Sequence, residues 1–294
     1  MKIKFGVVLF FFALVGFSSN VQAQAYKKKG GKSSVAKGAL FLYWGYNKSI
    51  YSKSKMNFVG SGYDFTLSGV KASDRPSMEL KTYFNPKTFS VPQFNVRMGY
   101  FFKDNWAINF GYDHMKYVVR EQDQALLSGR INPGVDSEWS GDYTNQKVTL
   151  NSDHFHYENT DGHNYIHGEI MYGLHLYRTP NRKFSITSLF GVGFGGILSF
   201  NDFTFAGRKD VRTISMSGYG LNAQVGIRFE FFNHFFVQSE FSGGLMHQVK
   251  VINRPNLPEY HARHAFGYGM FQANIGGIVY IKSKKDKCNT CPQW

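Results

Sequence analysis

Ten histidines, a set of charges on alternating strands and a terminal cysteine pair are what this chain of 294 residues offers to chemistry. His154, His156, His163 and His167 fall within fourteen residues, beside Glu158 and Asp161. In extended chain His154 and His156 share a face, as do His163 and His167. Two such pairs bring imidazoles within reach of one zinc or copper ion. The spacing matches no strict ligand pattern, so metal binding stays open at this level. A membrane hydrolase needs a serine and a histidine oriented by a third polar group. Asp113-His114, and Ser152 with His154, supply pieces of such a triad, and pieces of this kind occur in any chain of this size.

A second group of charges consists of Arg97, Asp113, Glu169, Arg228, Glu230 and Glu240. They sit among amides, Asn95, Asn109, Asn222, Gln224, Gln238, Gln272 and Asn274, all on the polar parity of alternating segments. Charges in a low-dielectric interior must be paired and hydrogen-bonded. Arg228 and Glu240 stand five and seven residues from Asn233, which makes them a same-face diagonal and an expected ion pair. Either this group is a static plug, or it is a gated ion or proton path. Gly191, Gly193, Gly195 and Gly196 do not form a nucleotide loop, because they lie within a strand and not at a strand-to-helix turn.

The elements that hold these residues follow from composition and pattern. Aromatics make up 17% of the chain and charged residues only 18%, which excludes intrinsic disorder. Residues 1–23 read as a signal peptide: Lys2 and Lys4, then the apolar run Phe5 to Phe17, then Val21-Gln22-Ala23. No later apolar run is long enough for a membrane helix. Eight stretches alternate instead. From Ser217 to Phe231 one parity gives Tyr219, Leu221, Ala223, Val225, Ile227, Phe229 and Phe231; the other gives Gly218, Gly220, Asn222, Gln224, Gly226, Arg228 and Glu230. A long strand with one apolar and one polar face suits a barrel with lipid outside and a polar interior.

Connections alternate in length. Tight turns are expected around Asp104, at Thr179–Arg182 and around Asn233, with longer loops at 49–92, 119–161, 201–213 and 250–265, the first containing a hairpin over Asn57–Gly69 that stands above the membrane. Trp106, Phe101, Phe102, Phe231, Phe232, Phe235 and Phe236 are expected to girdle the short-turn side. The expected fold is all-β: an eight-stranded antiparallel up-and-down transmembrane β-barrel over 38–283, with two long extracellular loops. It is preceded by a basic periplasmic N-terminal tail, 24–37, and followed by a periplasmic C-terminal tail, 284–294. In this architecture the chain resembles the small outer-membrane β-barrel proteins of the OmpA/OmpX type, over about Gly38 to Ser283.

The expected location is the bacterial outer membrane, with both termini periplasmic. Lysines 27, 28, 29, 32 and 37, and those at 282, 284, 285 and 287, then face lipid headgroups and not nucleic acid. Cys288 and Cys291 are a redox pair, half a zinc site or a small disulfide, the disulfide being expected in an oxidising compartment. The expected function is non-enzymatic: a plugged barrel whose large loops bind or serve envelope structure, with no cofactor. Its expected partners are outer-membrane lipid and an extracellular ligand or neighbouring membrane protein. The alternatives are an outer-membrane lipid-modifying hydrolase and, third, a narrow ion-conducting channel.

Overall fold

The computed structural model describes residues 33–76, 82 and 92–281. The expected signal peptide, residues 24–32, residues 282–294 and with them Cys288 and Cys291 lie outside the described residues. Thirteen strands are present among those described: β1 Ala39–Tyr51, β2 Ser54–Gly60, β3 Tyr63–Val70, β4 Ala72–Ser73, β5 Phe94–Lys103, β6 Trp106–Val119, β7 Gln124–Ile131, β8 Gly141–Thr149, β9 His156–Arg178, β10 Phe184–Phe205, β11 Arg208–Phe231, β12 Phe235–Ile252 and β13 His261–Tyr280. All described pairings are antiparallel.

The long strands pair in the order β1-β5-β6-β9-β10-β11-β12-β13, and β13 pairs back to β1 from Ala39↔Tyr280 to Tyr51↔Tyr268. Their outer face is apolar. Leu42, Met98, Phe110, Ile170, Val192, Leu221, Phe241 and Ile275, one from each of these strands, are all more than half exposed. Their inner face is polar, with Asn95, Arg97, Asn109, Asp113, Glu169, Gln238, Glu240 and Gln272 buried. Burying one large apolar side chain is worth about 1.5–3 kcal/mol. A wall of this composition forfeits that gain on every strand in water and recovers it in lipid.

Higher up the same strands the polarity inverts. On β10, Phe203 and Phe205 are buried while Asp202 and Thr204 are only half-buried. Where β1 ends, β2 takes its place beside β13, and β3, β7 and β8 continue the ladder. This extension closes over an aromatic core in which Phe58 meets Phe65, Phe155 and Phe203 at ring distances of 5.3, 5.2 and 5.5 Å. We refer to it as the cap. A smaller apolar cluster, including Phe41, Phe101, Met171, Leu189 and Phe236, fills the opposite end with Val35 of the N-terminal segment. Along β9 the inward residues run from Met171 through Glu169 and His167 to Tyr165 and Tyr157, so the polar layer lies between two apolar ones.

Several sequence expectations change. The segments at 49–92 and 119–161 contain β2, β3, β4, β7 and β8 in addition to loop. The stretch 201–213 is a continuation of β10 and β11 joined by Ala206-Gly207, both at positive φ as a two-residue hairpin turn requires. The connection at 250–265 shrinks to 253–260. For 201–213 the cause is visible in β11, where register shifts opposite Ile197/Leu198 and Asn201/Phe203 break the period of two. Of the expected girdle, Phe101 and Phe236 turn inward, and the rest are exposed.

Backbone approach supplies a direct test of which face is inner. A Cβ on Gly244 would run into the Leu221 carbonyl, whereas one on Gly267 meets nothing nearer than Ser52 Oγ at 3.6 Å. Gly244→Ala should therefore cost about 1–3 kcal/mol in urea unfolding of the refolded protein, and Gly267→Ala should be near neutral. Equal losses at the two positions would contradict the assignment.

Candidate functional site

All six charges expected in the interior are buried there: Arg97, Asp113, Glu169, Arg228, Glu230 and Glu240. They form separate groups. In the first, Arg97 of β5 grips Asp113 of β6 with two bonds, Nη1 to Oδ1 at 2.6 Å and Nη2 to Oδ2 at 2.9 Å. Such a fork fixes orientation as well as charge. His167 of β9 lies between carboxylates, with Nε2 3.1 Å from Asp113 Oδ2 and Nδ1 3.2 Å from Glu169 Oε1. Asn222 Nδ2 donates to Glu169 Oε1 at 2.6 Å, and Tyr165 Oη donates to Asn222 Oδ1 at 2.9 Å. Tyr165 also stacks on His167 at 4.4 Å. Four strands thus converge on one network.

The expected Arg228–Glu240 ion pair is not formed. The register is as expected, with Arg228 opposite Gln238, and Arg228 Nε donates to Gln238 Oε1 at 2.6 Å. The guanidinium then leans along the other diagonal, onto Phe236 at 4.0 Å and Phe41 at 4.9 Å. Ring faces attract a cation that has been taken out of water. Glu240 instead accepts from Tyr43 Oη at 3.0 Å and from Asn274 Nδ2 at 3.2 Å. Tyr43 lies on the inward parity of β1, a signal the sequence carried and the pattern reading passed over.

Glu230 belongs to a third group. Its carboxylate accepts from Ser185 at 2.6 Å and Thr187 at 2.9 Å on β10, and from Ser34 at 2.6 Å. Ser34 lies in the segment expected to be a tail. Residues 33–37 fold under the base instead: Val35 is buried, its carbonyl accepts from Asn105 N at 2.8 Å, and Lys37 N donates to Asp104 Oδ1 at 2.9 Å. Ser33 Oγ reaches His175 Nε2 at 2.8 Å.

The four clustered histidines separate. His154 Nε2 meets Asp136 Oδ1 at 2.8 Å in the cap, and His156 meets Glu158 at 3.2 Å. His163 lies beside Gln248, and His167 is in the interior network. Strand pairing rather than sequence proximity decides their neighbours, and no group of three His, Cys, Asp or Glu side chains placed to hold a metal ion is present among the described residues. The triad pieces also point elsewhere. Asp113 is engaged by Arg97, and His114 Nδ1 meets Asn164 Oδ1 at 2.8 Å.

Asp136 was not legible as a special residue. Its Oδ1 accepts from the backbone N–H groups of Glu138 at 2.9 Å and Trp139 at 2.7 Å, besides His154. Burial raises the carboxyl, but these donors outweigh it and hold it below the usual carboxylate range. The turn places Trp139 against Phe155 at 5.7 Å, locking the cap core.

Both networks can be tested by removing one member. Arg97→Met should cost about 3–5 kcal/mol in urea unfolding, because Asp113 is left buried without its fork, and adding Asp113→Leu should restore much of the loss. For Asp136 the folded value lies below the unfolded one, so its contribution is present above about pH 4 and is lost as pH falls through the folded value. Acidification should loosen the 132–155 region to acid protease in the wild type. In Asp136→Ala the same region should already be cut near neutral pH by a neutral protease, with no further acid-dependent step.

No protein-family model and no curated protein matches this chain. Among solved structures it is similar to the N-terminal β-barrel domain of OprF from Pseudomonas aeruginosa, at 11% identity, covering 83% of this chain and 98% of that one, with a TM-score of 0.31. It is similar to the outer membrane protein OprG of the same organism, at 10% identity, 85% and 100% coverage and a TM-score of 0.41. It is also similar to Neisserial surface protein A, at 8% identity, 82% and 99% coverage and a TM-score of 0.34. The proteins that this chain resembles in structure are outer-membrane β-barrel proteins.

Proposed function

We propose that the chain is an eight-stranded transmembrane barrel of a bacterial outer membrane, plugged inside, non-enzymatic, with its cap turned outward to bind. The observation that carries this reading is the reversal of polarity on one set of strands: apolar outside and charged inside in one stretch, apolar inside beyond it. Lipid solvates the first stretch and water the second. The two apolar clusters at either end of the charged layer support a plugged interior over a conducting one. An eight-stranded barrel is only wide enough for its own side chains. In this orientation Asp104, Asn181 and Asn233 face the periplasm together with both termini, and the Ala206-Gly207 turn faces outward. The partners are outer-membrane lipid around the wall and an extracellular ligand or membrane neighbour on the cap.

Two measurements test it. The inserted protein should migrate faster unboiled than boiled in SDS gels, since a closed ladder has no edge from which to fray. In a background lacking Cys288 and Cys291, Lys209→Cys should react with an impermeant maleimide on intact cells and Asp104→Cys should not. Reversed labelling would invert the topology; identical gel mobility would sink the barrel.

A further inference from the structure

At the base of the cap lies a groove of about 540 Å³ lined by Lys53, Lys71 and Lys147, with Ser68, Gln122 and Gln124. Its volume falls within the usual range for small-ligand sites. Its one carboxylate, Asp123, is taken by Lys71 at 2.9 Å. Among the described residues Lys53 and Lys147 form no ion pair. The lining is therefore rich in donors and carries uncompensated positive charge.

The groove's position narrows the ligand. Lys53 follows Ile50 by three residues, and Ile50 is 68% exposed on the apolar wall beside Gly269. Phe271, one row lower on β13, is 55% exposed. The groove thus opens where the apolar wall gives way to polar surface. Ladder register puts Lys55, Ser68, Leu126 and Lys147 in one row across β2, β3, β7 and β8, so a fourth ammonium, that of Lys55, stands on the sheet face of Lys147. Gly69, at φ +79°, has open space where a Cβ would stand, which leaves the groove unobstructed there. Lysine ammoniums are point charges suited to phosphate, and the amides and hydroxyl suit sugar oxygens.

Resting on the outward orientation of the cap, we propose that this groove binds the phosphorylated saccharide headgroup of an outer-leaflet lipid, whose acyl chains lie along the wall beneath. The test uses the refolded full-length mature protein in zwitterionic micelles, titrated with fluorescent diphosphorylated lipid A, with its dephosphorylated form and with a soluble sugar phosphate. The diphosphorylated lipid should bind saturably, and its affinity should fall with salt. The K53Q/K71Q/K147Q variant should lose at least about tenfold in affinity. K183Q and K209Q, away from the groove, should retain it. Equal affinity for the two lipids, or an unchanged affinity in the triple variant, would overturn the proposal. Equally tight binding of the soluble sugar phosphate would overturn its lipid part. Heat-modifiable migration, measured on the same samples, reports the barrel separately, so loss of binding in a folded variant cannot be mistaken for failure of the fold.

Discussion

Everything in this molecule depends on the pairing of β1 with β13. Each strand presents N–H and C=O groups along both edges, and in an apolar surround an unpaired one costs several kcal/mol. Pairing the first long strand to the last satisfies both edges at once. Only with that ladder complete can the outer face be given over to Leu, Ile, Val and Phe and the inner face to charge. The interior then inherits a constraint of its own: its ions are buried and must find partners from other strands. The Arg97–Asp113 fork, with His167 and Glu169 beside it, answers that demand with residues from three strands.

The eight alternating stretches were legible because each side chain in a strand alternates faces and the two surroundings differ sharply. From Gly218 to Phe231 nothing interrupts the pattern, and residue parity there matches the observed burial; Ser217, buried on the outward parity, is where the register shifts. Legibility fails in two physically distinct ways. Register shifts in β11 add residues that flip the parity, so its upper part reads as irregular. Beyond the wall the sense of the pattern reverses: β2 and β3 form the hairpin expected over Asn57–Gly69, but with Met56 and Phe58 buried and Lys55 exposed, so a search for an apolar exterior does not count it among the wall strands.

For the site, parity was enough to put six charges inside but not to choose their partners. Arg228 shows why. Its register was readable from the turn at Asn233, yet which diagonal a long side chain takes depends on the rings of Phe236 and Phe41, and Phe41 arrives from the far end of the chain. The histidine cluster failed for the opposite reason: His156, His163 and His167 share the single strand β9, whose rise spreads them along it, and each meets a different set of cross-strand partners. Asp136 had no signal at all, because its role is made by a turn and by His154 eighteen positions later.

The contact between Ser34 and Glu230 spans 196 positions and carries a consequence for assembly. The pocket that receives Ser34 is built by Ser185 and Thr187 on one strand and Glu230 on the next, while Val35 needs Phe101 and Leu189 already in place. The first segment of the described chain can therefore seat only after strands made much later have joined. It is a latch whose closing records that the ring is finished, and a misjoined intermediate would leave it hanging free.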